Sequence, residues 1–235
     1  MSRVIFDIET IGVDFDALDE KSKEYLVKFA ENEEELEEIK QKLALWAVTG
    51  EVITIGMLNP ETERGVVYYR VKDVNSNISN NNSNISNGFD DVSVKYVEVE
   101  DEKELLDKFW EDIRNFEQFI TFNGRGFDCP FLILRSGILG VKVTRDLMPY
   151  RYDSRIHVDL LEQFTFYSAV RKFSLDFYCK AFGIESPKEG GITGLDIGDL
   201  YKEGKCLEIA EYCYKDLRAT EELWRRWEGF IYPVK

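Results

Sequence analysis

The chain has 235 residues, 44% of them hydrophobic and 14% aromatic, enough to bury a sizeable core in one large domain. A formal charge of −15 argues against a broad basic platform for nucleic acid and leaves room for a local basic groove around an acidic centre. No apolar run is long enough to span a membrane. The early apolar run is broken by Asp7 and Glu9 and does not read as a signal peptide, and Cys129, Cys179, Cys206 and Cys213 lack CxxC spacing. These features predict a cytoplasmic protein with reduced, mostly buried thiols.

The first predicted element is a strand over residues 4–12. Asp7 and Glu9 lie at i and i+2 and share a face, while Phe6 and Ile8 point to a core. Two like charges side by side on a sheet are unfavourable unless a cation lies between them. A hard divalent metal held by carboxylate oxygens is one reading, and an edge strand with a solvated acidic face is the other. Residues 16–47 read as helical, with Leu18, Tyr25, Leu26 and Phe29 and then Leu36, Ile39, Leu43 and Trp46 at helical spacing, a helical insertion over about 16–48. The acidic run at 31–38 reads as a solvated face turned away from any phosphate path.

A turn at Thr49-Gly50 leads to strands over 52–58 and 65–71, interrupted at Asn59-Pro60 and expected to pair antiparallel. Residues 75–87 give NSNISN twice around Asn81 and read as a flexible surface loop over 75–88. A strand follows over 92–99. Asp101 and Glu104 then resemble a capping box, opening a helix with Leu105, Leu106, Phe109, Trp110, Ile113 and Phe116 on one stripe. A short strand over 118–122 ends at Asn123-Gly124-Arg125-Gly126-Phe127-Asp128-Cys129-Pro130, where Pro130 suits the first turn of a helix. Asp128 is thereby placed at a strand-to-helix junction, the edge where open α/β sheets gather ligands, with an N-cap as its alternative role. Residues 155–161 read as a strand with His157 and Asp159 on one face. Ser174 caps a helix that Gly183 ends, and a loop holding Lys188, Gly190, Gly191 and Gly194 follows. The final helix, about 207–227, buries Ala210, Cys213, Leu217, Thr220 and Trp224. Tyr212 and Asp216 stand one turn apart on its same side.

In order and element type, Asp7 with Glu9, then Asp128, then Tyr212-x-x-x-Asp216 resemble the DEDD superfamily of 3′–5′ exonucleases. The match is to its tyrosine (DEDDy) subclass, and above all to the exonuclease domain of family-B DNA polymerases and its stand-alone relatives. The matching stretches are Phe6-Asp7-Ile8-Glu9-Thr10, Phe122-Asn123-Gly124 with Phe127-Asp128, and Tyr212-Cys213-Tyr214-Lys215-Asp216. The resemblance implies a ribonuclease H-like α/β fold, a mixed sheet flanked by helices. It also implies two Mg²⁺ or Mn²⁺ ions roughly 3.5–4 Å apart, held by Asp7, Glu9, Asp128 and Asp216, with Tyr212 orienting the attacking water. The histidine subclass would need a histidine where Glu211 stands, so His157 is expected to be structural. Asp159 is expected to be a polar strand-end residue, with an approach to the metals as its alternative.

Thr10, Asn123, Arg125, Phe127 and Lys188 are candidate substrate residues, with Arg171 and Lys172 as further guesses for the strand path. The expected activity is hydrolysis at single-stranded 3′ ends, with DNA favoured over RNA. An RNA-trimming enzyme and an inactive nucleic-acid- or polymerase-binding module are the alternatives. Because the sequence ends at Lys235, a polymerase or repair protein is expected as a partner in trans.

Overall fold

The computed structural model describes residues 2–71, 94–187 and 191–232. The predicted loop over 75–88 and Lys188 lie outside the described residues. Strands β1 (Arg3–Gly12), β2 (Gly50–Asn59), β3 (Arg64–Arg70), β4 (Val94–Val99), β5 (Gln118–Thr121) and β6 (His157–Asp159) form one mixed sheet in the order β4-β3-β2-β1-β5-β6. β1 runs antiparallel to β2 and parallel to β5, and β5 runs parallel to β6. The expected hairpin is present, with β2 and β3 antiparallel across the Asn59-Pro60 turn.

Alternation along β1 divides the core. Val4, Phe6 and Ile8 face helices α3 (Glu102–Ile113) and α4 (Asp128–Leu139), packing with Phe109, Trp110 and Leu132. The Phe6 ring meets Phe109 edge-on at 5.6 Å. Each such fully buried side chain contributes about 1.5–3 kcal/mol. Ile5, on the opposite face, packs with Leu58, Ile120, Leu217 and Trp224 beneath helix α8 (Cys206–Arg226). Asp7 and Glu9 share that second face, so they lie under α8 rather than in open solvent.

The long helix is built as its apolar stripe requires, with Ala210, Cys213, Leu217, Thr220 and Trp224 all buried. Gly56, opposite Asp7 in the β1–β2 register, lets α8 settle on the sheet. A methyl group there would stand 2.7 Å from Leu217 Cδ1 and 2.8 Å from Cys213 Sγ. The α3 N-terminus is capped by Asp101, whose carboxylate accepts from Glu104 N at 2.8 Å. An interaction with no periodic signal in the sequence ties α3 to α4 and β2. Glu102 accepts from Val52 N at 2.7 Å and Arg135 Nε at 2.8 Å, while Arg135 Nη1 donates to the Ala47 carbonyl at 3.2 Å. Glu102 and Arg135 are both buried.

Three expectations need correction. The stretch over 16–47 is two short helices, α1 (Glu20–Val27) and α2 (Glu33–Lys42), with a 3-10 turn before them and another after. Its first apolar stripe does not bury: Tyr25 and Phe29 are 79% and 82% exposed, and only Leu43 of the second stripe is buried. Helical spacing shows that residues share a face, but not that anything covers it. The strand expected over 155–161 is cut to three residues, because Asp159 caps helix α5 (Leu160–Phe164) and turns the chain. The loop after α6 (Leu175–Phe182) contains a further helix, α7 (Ile197–Lys202), too short to register as a period.

Candidate active site

β5 pairs with β1 only as far as Ile5↔Ile120, so beyond that point one edge of β1 is open. The chain leaves β5 through a turn with Asn123 in the left-handed region, φ 64°. Asn123 O accepts from Gly126 N and Phe127 N at 2.9 and 3.0 Å, and α4 then begins at Asp128. Asp128 does not cap that helix. Its Oδ1 accepts from Ile8 N at 3.1 Å, on the open edge between Asp7 and Glu9. On the other side α8 lays Tyr212, Cys213 and Asp216 over β1. Cys213 Sγ is 3.9 Å from Asp7 Oδ2, and ligand atoms of Asp7, Glu9 and Cys213 lie within 4.8 Å of one another.

The electrostatics show how closely these groups converge. Burial pushes the Asp7 carboxyl well above the usual carboxylate range, and the charges of Asp128, Asp216 and Glu9 push it further. Glu9 is raised by burial and then by Asp216 and Asp128. Asp128 is raised to about 7, mainly by burial, against the bond from Ile8 N. The Tyr212 phenol is raised by burial and by Asp216, Glu9 and Asp7, and its hydroxyl donates to Asp216. It therefore stays protonated at neutral pH. The Cys213 thiol is also driven upward, by burial and by Asp7, and stays a thiol.

The structure thus brings Asp7, Glu9, Asp128, Asp216 and Tyr212 together from β1, α4 and α8. The charges acting most strongly on Asp7 and Glu9 are other carboxylates, an arrangement costly until a cation enters. Carboxylate oxygens are hard donors of the kind that hold a divalent cation.

The surrounding residues take different parts. Thr10 follows a register shift in β1, and its hydroxyl donates to the Ala44 carbonyl at 2.7 Å. Phe127 is half-buried, its ring tilted against Phe131 at 5.5 Å. Arg125, expected at a phosphate, instead has its side chain committed. Its guanidinium donates to the Pro149 carbonyl at 2.9 Å and lies 3.8 Å from Glu162 Oε2. Arg171 and Lys172 are exposed.

His157 is buried between Thr121 Oγ1 at 2.8 Å and the Leu147 carbonyl at 3.0 Å, which fixes its proton on Nδ1. Burial, aided by Arg125, lowers its pKa to about 3, so the ring is neutral and structural. Asp159 Oδ1 accepts from Asn123 N, Leu161 N and Glu162 N, and its Oδ2 accepts from Arg125 N. It braces the turn that delivers Asp128. The bracing by Asp159, the contact of Cys213 with Asp7 and the close approach at Gly56 were missed from sequence. The only signal was that Asp159 and Cys213 are polar or reactive residues at core spacing.

A family described as a predicted 3′–5′ exonuclease related to the exonuclease domain of PolB matches residues 74–231. That stretch holds Asp128, Tyr212 and Asp216, while Asp7 and Glu9 lie before it and join them through the fold. The chain is 31% identical over 152 residues to a DNA polymerase of Pyrococcus glycovorans, covering 57% of this chain and 19% of the polymerase. It is 33% identical over 151 residues to a DNA polymerase of Methanocaldococcus jannaschii, covering 58% and 9%. It is 24% identical over 181 residues to DNA polymerase 1 of Sulfolobus acidocaldarius, covering 73% and 19%. The chain thus spans a fifth or less of the length of these relatives. Among the described residues no helix is long and apolar enough to cross a membrane.

Proposed function

The chain belongs to the family of predicted 3′–5′ exonucleases related to the exonuclease domain of PolB, and on that premise we propose that it removes nucleotides from single-stranded 3′ ends, preferring DNA to RNA, with two divalent ions. The observation that carries this reading is the convergence of four carboxylates and one tyrosine from three elements. Asp7, Glu9, Asp128 and Asp216 would hold the ions. Two such ions, when bound, supply an activated water and stabilise the leaving 3′-oxygen.

The chain's own residues do the rest. Asp128 is fixed to β1 by Ile8 N, so its carboxylate stays aligned with Asp7 and Glu9. Tyr212 keeps its proton, and with Asp216 turned to an ion its hydroxyl would be released from that carboxylate to donate to the attacking water and orient it. Asn123 and Phe127, at the turn before Asp128, together with Lys188, are assigned to hold the terminal nucleotides. The preference for DNA rests on the relatives being DNA polymerases, and association with a polymerase is the partnership this supports. The burial of Cys129, Cys179, Cys206 and Cys213 suits the reducing cytoplasm.

The test is incubation of 5′-labelled single-stranded DNA and RNA with the protein in Mg²⁺, Mn²⁺ or excess EDTA, alongside folded Asp7→Asn protein. Shortening only by the wild type with metal, faster on DNA, is expected. Full hydrolysis in EDTA, or by Asp7→Asn, contradicts the reading, and faster shortening of RNA reassigns the substrate.

A further inference from the structure

Beyond the carboxylate cluster, at the carboxyl ends of β5 and β6, the chain displays aromatic rings with cations set among them. Tyr150 and Tyr152 are 74% and 56% exposed, with ring centroids 5.6 Å apart. Tyr152 meets Tyr167 at 4.6 Å, and the guanidinium of Arg151 lies 6.0 Å over the Tyr167 ring. Phe166 is 65% exposed. Further along, Arg171 lies 5.0 Å over Phe173. Single exposed rings need no explanation, but the touching set Tyr150, Tyr152 and Tyr167 beside the Arg151 guanidinium marks an interaction surface.

The backbone that presents these rings is held in a disfavoured shape. Phe166, Tyr167 and Ser168 have φ of 49°, 59° and 74°, three successive non-glycine residues in the left-handed region. The surroundings enforce it. Tyr167 N donates to the Glu162 carbonyl at 2.7 Å, Ser168 N donates to Thr165 Oγ1 at 3.2 Å, and Gln163 Nε2 donates to the Tyr167 hydroxyl at 3.0 Å. A segment pinned this way while the Phe166 ring stays mostly in water is shaped for presentation rather than for packing.

Charge selects the occupant. Between residues 141 and 173 the basic side chains are Lys142, Arg145, Arg151, Arg155, Arg171 and Lys172. The acidic ones are Asp146, Asp153, Asp159 and Glu162, so this stretch is net basic within a chain of charge −15. Arg151 is ion-paired with Glu162 at 2.8 Å and Arg155 with Asp153 at 2.7 Å, so the excess positive charge sits on Lys142, Arg145, Arg171 and Lys172. Flat rings flanked by such cations match a polyanion whose bases have free faces, which is a single strand and not a duplex. The surface is also braced to the candidate active site. Asp159 holds the N–H groups of Asn123 and Arg125 and caps α5, while Arg125 reaches the Pro149 carbonyl.

We infer that residues 149–152 and 165–173 form a platform on which bases of the single strand upstream of the scissile bond stack, steering its 3′ end to the carboxylates. This inference rests on the exonuclease reading and adds to it the source of single-strand preference.

The test is fluorescence anisotropy of a labelled oligothymidylate at low salt in EDTA, where binding is read without cleavage. Relative to wild type, the Tyr150→Ser/Tyr152→Ser protein and, separately, Phe166→Ser are expected to bind about 10-fold more weakly. Tyr152→Phe, which keeps the ring, is expected to bind as wild type. Arg171→Gln is expected to lower the slope of log affinity against log salt by about one unit or less. Tyr150 and Phe166 are mostly exposed, so these variants are expected to fold, and circular dichroism checks this. Equal binding by wild type and both serine variants overturns the platform and points the surface to a protein partner. Absence of wild-type binding overturns it too, as does equal affinity for duplex. Loss of binding in the variants of a protein that cleaves no nucleic acid would uphold the platform and defeat the exonuclease reading alone.

Discussion

Replacing Gly56 by alanine tests how tightly the fold sets the active site. Gly56 faces Asp7 across the β1–β2 pair, and α8 crosses directly above it. The added methyl would meet Leu217 Cδ1 at 2.7 Å and Cys213 Sγ at 2.8 Å. Ordinary contacts lie near 3.5–4.0 Å, so relief requires a movement of about 1 Å. Leu217 and Cys213 are fully buried, so the methyl crowds packed side-chain ends and pushes against the helix that carries them. Tyr212 and Asp216 ride on that helix, while Asp7 and Glu9 stay on the strand. A misplacement of about 1 Å costs roughly 100-fold in rate. Overpacking costs only about 1–3 kcal/mol, a melting-temperature drop of about 2–12 °C for a chain this size. The assay pairs urea unfolding with shortening of a 5′-labelled single-stranded oligonucleotide. Folded Gly56→Ala protein with severely reduced cleavage is expected. Wild-type activity together with wild-type stability would refute the claim that α8 has no slack.

Other consequences follow from buried polar groups. Arg135→Met leaves Glu102 charged and unpaired, and about 3–5 kcal/mol of stability should be lost in urea unfolding. The Glu102→Gln/Arg135→Met protein should lose much less than the two single losses combined, and additive losses would contradict the pairing. His157 is held neutral with a pKa near 3, while in the unfolded chain it titrates near 6.5. Its contribution is therefore present above about pH 6.5 and lost as pH falls toward 3, at about 1.4 kcal/mol per unit. His157→Gln should show a shallower fall in unfolding free energy between about pH 6 and 4, and equal slopes would count against the buried neutral ring. Tyr212→Phe removes one donor and should slow cleavage roughly 10- to 1000-fold, with Asp216→Ala slower still. A fully active Tyr212→Phe protein would remove the tyrosine from the mechanism.

The sheet and the long helix were legible because their signals are local. Alternation around Asp7 and Glu9, the glycines after Phe122 and the apolar stripe of α8 each specify one element and its buried face. The α/β class and the antiparallel β2–β3 pair follow from such signals in series. What was not legible depends on which elements meet. Tyr25 and Phe29 have the spacing of a core stripe, yet are exposed because, among the described residues, no element covers that face of α1. Arg125 looks like a phosphate ligand beside Asp128, but the Pro149 carbonyl and Glu162 come from distant segments to claim it. Asp159 alternates properly with His157, and only the structure shows it serving four backbone N–H groups. Gly56 reads as an ordinary strand residue until the helix above it is known.

The most direct measurement of the central claim is polarity. A single-stranded oligonucleotide labelled at the 5′ end in one sample and at the 3′ end in another is incubated with the protein and Mn²⁺, and products are sized over time. A 5′-labelled ladder that shortens from full length is expected, with a 3′ label released at once as mononucleotide. Both signals should be absent from folded Asp7→Asn protein. Internal cuts, release of the 5′ label first, or equal cleavage by Asp7→Asn would contradict the central claim.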